Sequence, residues 1–299
     1  MPGSLVWLSA GRLQAAVVPG VGGSLACVNL WDGSETRPVF RGARTDKIRD
    51  PREAALFPMV PWADRIFGGG FNFGDRHWRL SPRSPGPHAH GYGWMCPWSV
   101  VGRSAAEVQL AHAWRGEGDD FSYDCVLAYR IESDGIAVEI SVRNSGASAL
   151  PFGLGLHPYV PRFASTRIAL AAHSWLPANA NGLLQRACSI GTLVDSNRVL
   201  RADPAVAVNG VAADWSGNIQ VDQPALGLAL EFQATGVLAR HLHIFAPAGA
   251  DYICLEPVSH LVNEHSQPSA MIDVLPPGAE LRGGWRCIVH DKTMSPKRD

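Results

Sequence analysis

Three well-separated segments of this 299-residue chain carry side chains able to move protons: Pro87-His88-Ala89-His90-Gly91-Tyr92-Gly93-Trp94, Gly153-Leu154-Gly155-Leu156-His157-Pro158-Tyr159 and Cys254-Leu255-Glu256-Pro257. Free imidazole and carboxyl groups titrate near about 6.5 and 4.3, so both types can act as acid or base at neutral pH. Each positioned proton transfer is worth roughly 10²–10⁴ in rate. Glu256 closes an apolar stretch, Tyr252-Ile253-Cys254-Leu255, just before a proline, and a carboxylate at the end of a buried strand needs a partner or a task. His157 precedes Pro158, which pushes its backbone toward an extended shape. Arg65, in Asp64-Arg65-Ile66 after Pro61-Trp62, offers a planar fork that suits hydroxyls or a carboxylate.

A metal centre is the rival chemistry. His88 and His90 stand in H-x-H spacing, which on a strand would put both rings on one face, and His157, Glu256, His241 or His243 could complete a ligand set. Such a cluster gives no task to Arg65 or to Trp62 and Trp94, so neither a metal nor another cofactor is expected. Gly68-Gly69-Gly70 lacks the Lys-Ser/Thr ending and the strand-turn-helix setting of a phosphate loop. The six cysteines (Cys27, Cys96, Cys125, Cys188, Cys254, Cys287) form no Cys-x-x-Cys pair, which argues against a zinc ribbon or a disulfide scaffold.

The elements that must position these groups read as strands. Glycine (31) and proline (22) recur every few residues, leaving little room for long helices. Between them apolar residues alternate: Val108, Leu110, His112, Trp114; Tyr123 to Ile131; Ile136 to Val142; Leu226 to Phe232; Trp285, Cys287, Val289. Ser133-Asp134-Gly135 is suited to a tight reversal, which predicts a hairpin over Tyr123 to Val142. Only Pro51 to Met59 reads as helical. The pattern predicts a single all-β domain over 1–299, a large antiparallel sandwich or barrel with few short helices, ending in a frayed tail over Asp291 to Asp299.

Composition narrows the function. The chain is 46% hydrophobic and 18% charged with a formal net charge of −1, enough apolar material for a core and no basic stripe for nucleic acid. No apolar run approaches the roughly 18 residues of a membrane span, and Met1 to Ala10 has no cationic segment of a secretory signal, so a cytoplasmic protein is expected. A sheet edge could pair two copies, so both a monomer and a homodimer stay open.

Taken in order, Asp64-Arg65-Ile66, His90-Gly91, Gly155-Leu156-His157-Pro158-Tyr159 and Leu255-Glu256-Pro257 resemble the aldose 1-epimerase (mutarotase) family, whose segments read roughly N-R-[IF], H-G, G-x-H-P-[YF] and L-E-P. The match spans about 190 residues. It departs at Asp64, where the family usually has asparagine, and at Gly91-Tyr92-Gly93, where Gly-Gly is commoner. The resemblance implies a galactose mutarotase-like β-sandwich, a small-molecule sugar as partner, and no cofactor. It implies Glu256 as base on the anomeric hydroxyl, His157 as acid toward the ring oxygen, and His90 near that oxygen. Arg65 and Asp214 would hold hydroxyls and Trp62 or Trp94 would face the ring, with His88 a further candidate for substrate binding. Two other functions fit the same sandwich. One is epimerisation of a phosphorylated or modified sugar, for which Arg44, Lys47 or Arg83 could serve. The other is sugar binding without catalysis, which has no need of an acid/base pair.

Overall fold

The computed structural model describes residues 5–42, 48–80, 88–116, 121–267 and 271–293. Two antiparallel sheets dominate them, one of eleven strands and one of nine. The nine-stranded sheet runs through the predicted alternating segments. Ser122–Glu132 and Gly135–Asn144 form the expected hairpin, with Glu132 opposite Gly135 across a two-residue turn. Tyr123, Cys125, Leu127, Tyr129 and Ile131 face inward from the first strand, and Ile136, Val138, Ile140 and Val142 from the second. One apolar core joins the inner faces of both sheets, and Tyr129 crosses it to donate its hydroxyl to the Gly23 carbonyl (2.9 Å).

The eleven-stranded sheet carries the proton-moving residues. At its centre lie, in spatial order, Leu56–Met59, Gly155–Pro161, Tyr252–Val258, His241–Ala246 and Val208–Ala213. Leu56, Leu156, Leu255, Ile244 and Ala212 belong to the shared core. Side chains alternate across a strand, so Phe57, His157, Glu256, His243 and Val211 face away from that core. Burial does not alternate here: every residue of Gly155–Pro161 is buried, because loops cover the outer face.

Two expectations change. Pro51 to Met59 is not a helix: a single 3-10 turn, Pro51–Glu53, capped by Asp50, leads into the strand Leu56–Met59. Four apolar residues fully buried on both faces favour strand pairing over a helical stripe. The tail does not fray at Asp291, which ends the strand Glu280–Asp291 and receives Arg12 and Arg37, each at 2.8 Å. Lys292 pairs with Asp222 (2.6 Å); residues 294–299 lie outside the described residues. No helix among the described residues is long and apolar enough to cross a membrane.

Candidate active site

Strand register builds the site. Phe57 stands opposite His157, and His243 stands opposite Glu256. Tyr159 pairs with Cys254 and Gly155 with Val258, which puts His157 level with Glu256 between them. Phe57, His157, Glu256 and His243 therefore form one row across four neighbouring strands. His157 Nε2 lies 3.3 Å from Glu256 Oε1. The His157 ring is stacked on Phe57, with ring centres 4.4 Å apart, which fixes the direction of Nε2.

Two loops complete the wall above this row, and each is locked to the other. Val60 N–H donates to the His90 carbonyl (3.2 Å), and His90 N–H to the Asp64 carbonyl (2.7 Å). Asp64 and His90 both hold positive φ, 55° and 63°. Gly91 follows at φ 72°, and a Cβ there would lie 2.0 Å from the Val60 oxygen, so only glycine fits. A third segment supports both loops. Ala63 N–H donates to His260 Nε2 (3.0 Å), and Asn263 bonds the backbone on either side of Ile66 through Arg65 O (2.9 Å) and Phe67 N (3.0 Å).

The resulting cleft, of about 80 Å³, is lined by Asp64, Arg65, His90, His157, Gly182, Asn209, His243, Phe245 and Glu256. Glu256, His157 and His90 thus meet where the sequence motifs would bring them, with Arg65 at the exposed lip beside Gly182. The other candidate sugar contacts stand outside the cleft lining. Trp62 is fully buried in the core, its indole N–H donating to the His88 carbonyl (2.9 Å), because it sits on the inward side of its loop. Trp94 is buried against Phe57 and His90, a support for the wall and not a lining residue. His88 does not line the cleft: residues 88–90 are loop with His90 at positive φ, so the strand alternation that would align His88 with His90 is absent. Asp214 is exposed in the turn after Val208–Ala213, while the same strand sends Asn209 into the cleft from its other end. Arg44, Lys47 and Arg83 lie outside the described residues.

Sequence motifs missed Asn209, Phe245 and the acidic role of Asp64, and offered His243 only as a metal ligand. Asp64 Oδ2 is in direct contact with His243 Nδ1, and His243 Nε2 meets Asn209 Oδ1 at 2.9 Å. The one available signal was the aspartate standing where the motif has asparagine. Beyond Asn209 and Phe245 the cleft adjoins a hollow of about 760 Å³ walled by Trp175, Leu193, Val206 and Pro247.

Electrostatics follow from burial and from the Asp64–His243 pair. Burial alone would raise Asp64, but the charge and hydrogen bond of His243 outweigh it and hold the carboxyl at about 2. Burial would lower His243; Asp64 outweighs it and carries the imidazole to about 9. Glu256 is pushed up to about 8 by loss of solvent, with His243 pulling it down and Asp64 pushing it up. His157 is held well below its ordinary value by burial, then by His90 and His243; His90 falls to about 4, chiefly through burial. At pH 7 the resting His157–Glu256 pair therefore carries one proton, on Glu256, whereas at its ordinary value Glu256 would be ionised. Ligand atoms of His157, Cys254 and Glu256 lie within 4.8 Å of one another. Burial raises both the Cys254 thiol and the Glu256 carboxyl, so a cation bound to this group would have to displace their protons.

The chain belongs to the aldose 1-epimerase family, whose model matches residues 4–211. Over 243 residues it is 30% identical to YphB of Escherichia coli K12, a protein described as uncharacterized, covering 78% of this chain and 82% of that one. A crystal structure of a provisionally assigned aldose 1-epimerase from the same organism superposes with a TM-score of 0.84 at 29% identity, covering 96% of this chain and 99% of the other. A galactose mutarotase-like protein from Clostridium acetobutylicum shares the fold, with a TM-score of 0.82 at 16% identity over 96% and 95% of the chains.

Proposed function

We propose that this protein is an aldose 1-epimerase that interconverts the α and β anomers of a free hexose by opening and reclosing the ring. The observation that carries the reading is the His157–Glu256 pair, 3.3 Å apart on the floor of a cleft with an arginine at its lip. Ring opening removes a proton from the anomeric hydroxyl and delivers one to the ring oxygen; rotation about C1–C2 and reclosure then give the other anomer. Glu256 is the base and His157 the acid, with roles exchanged on reclosure. The single proton of the pair crosses from Glu256 to His157 before the sugar opens, a short step between facing atoms. His90, neutral at physiological pH, hydrogen-bonds near the ring oxygen without adding charge. Arg65 and Asn209 hold hydroxyls, Asn209 taking the part that the motif comparison gave to Asp214.

The adjoining hollow favours a second reading, an aldose carrying a further substituent away from its anomeric carbon. A binding protein without catalysis has no use for a buried pair sharing one proton. All six cysteines are free thiols, which fits a reducing compartment, and we place the protein in the cytoplasm on that ground, as a monomer or homodimer acting without a cofactor. The test is anomerisation of freshly dissolved α-D-glucose and α-D-galactose, followed by polarimetry or proton NMR, with Glu256→Gln in parallel. Acceleration by the native protein alone supports the reading; no acceleration of either sugar overturns it for free hexoses.

A further inference from the structure

We propose that His243, kept as an imidazolium by Asp64, is a positioning residue that sets the pH window of the His157–Glu256 pair and turns the Asn209 amide so that its NH₂ faces the cleft. The proposal rests on the epimerase reading of this cleft and adds a control element to it.

The geometry gives each ring nitrogen of His243 an oxygen partner. Nδ1 touches the Asp64 carboxylate, which when ionised only accepts, so Nδ1 carries hydrogen. Nε2 stands 2.9 Å from Asn209 Oδ1, and with the amide in this orientation Nε2 carries hydrogen as well. A ring with both nitrogens protonated is a cation, and its elevated pKa agrees. The counter-ion cannot drift away, because Asp64 sits at φ 55° with its carbonyl tied to His90 N–H. With Oδ1 of Asn209 engaged, its two N–H groups remain for the cleft. Together with Arg65 they make that end a wall of donors, suited to the lone pairs of sugar oxygens.

His243 also stands directly opposite Glu256 on the neighbouring strand. The other titratable groups around it are Asp64 and Arg65 from one loop, His90 from the second, His157 from the Gly155–Pro161 strand, Cys254 on the same face as Glu256, and His241 on its own strand. A cation in this place favours loss of the proton from Glu256 and opposes addition of a second proton at His157. It therefore moves both titrations of the pair to lower pH, and removing it moves both upward.

The experiment compares the native protein with His243→Gln and Asp64→Asn, each first shown to be folded by circular dichroism. Glutamate carboxyl carbons are labelled with ¹³C in ligand-free protein, and the Glu256 signal is identified by its loss in Glu256→Gln. In His243→Gln the Glu256 titration should rise by roughly one pH unit or more, because a cation is lost and the Asp64 charge is exposed to the pair. In Asp64→Asn, where the imidazolium discharges and both charges vanish together, the rise should be smaller. Both limbs of the kcat/KM profile for glucose or galactose should move upward in the same order. A Glu256 titration that stays in place in both variants, or activity lowered equally at every pH, would overturn the proposal. If His243→Gln does not fold, Asp64→Asn decides. If the native protein anomerises neither sugar, the epimerase reading fails while the carboxyl titration still judges His243.

Discussion

His157 Nε2 and Glu256 Oε1 face each other at 3.3 Å across adjacent strands, level in register although 99 positions apart in sequence. Both are buried, and burial acts on them in opposite senses: it raises the acid and lowers the imidazole. Each change disfavours its own charged form, so the resting pair is neutral overall and holds a single proton. Such a pair titrates as a unit with two macroscopic steps.

Glu256→Gln keeps the shape of the side chain and removes the exchangeable proton. Turnover should fall by roughly 10²–10⁴ while the fold survives, and His157→Asn should behave similarly. Glu256 ionises above about 4.5 in the unfolded chain but only near 8 in the folded protein, so the native protein loses stability over that range; the Gln variant should gain on it progressively and melt at the higher temperature by pH 9. Polarimetry and thermal melts at pH 7 and pH 9 read both effects; full activity in the Gln variant excludes Glu256 as the base.

Arg65 and Asn209 should govern binding, and Asp214 should not. Arg65 is exposed at the cleft lip, so Arg65→Ala should raise KM at least about tenfold, the scale of one charge-assisted hydrogen bond, with stability unchanged. Asn209→Asp replaces the amide donors by acceptors and should raise KM more than it lowers kcat. Asp214→Ala, in a surface turn outside the cleft, should leave both constants as they are. Steady-state kinetics on the three variants checks the placement.

The Asp64–His243 pair makes stability depend on pH in a defined direction. His243 is raised from its unfolded value to about 9, so its contribution is complete below about 6.5 and is lost as pH rises through 9. Asp64 is depressed to about 2, so its contribution is complete above about 3.8 and is lost as pH falls through 2. The pair therefore stabilises fully between about 3.8 and 6.5. Removing one partner of a buried ion pair costs about 3–5 kcal/mol; the amide of Asp64→Asn would still hydrogen-bond a neutral imidazole, which puts this variant at the lower end. Urea denaturation from pH 5 to pH 9.5 should show the gap between native protein and Asp64→Asn shrinking toward the alkaline end.

Gly91→Ala tests the junction of the two cleft loops. The added methyl would collide with the Val60 carbonyl at φ 72°, a conformation that already strains an L-residue. The expected cost exceeds about 1 kcal/mol in stability, together with displacement of His90 and loss of activity. A variant that melts and turns over like the native protein would show that the loops are not coupled through this glycine.

The sequence determined the strands, because an apolar residue at every second position commits one face of Ser122–Glu132 or Gly135–Asn144 to a core wherever that strand pairs. It also placed Arg65 and His90 in turns and His157 and Glu256 on extended segments, where flanking Gly and Pro restrict the backbone; that Pro257 does not stop the Tyr252–Val258 strand at Glu256 was decided by pairing. Pairing register decided the rest. Two-residue periodicity says which face His243 shares with His241 and Phe245, but only the alignment of His241–Ala246 with Tyr252–Val258 sets His243 against Glu256. The same alignment brings Asn209 to the cleft and leaves Asp214 outside it. Trp62 and Trp94 are aromatic residues beside turns in sequence; which side of the loop they occupy depends on Tyr92, Phe121 and Phe57, contributed by distant segments. Protonation belongs to the tertiary structure as well: the proton rests on Glu256 because covering loops strip water from a carboxylate whose charged partner, His243, arrives from another strand.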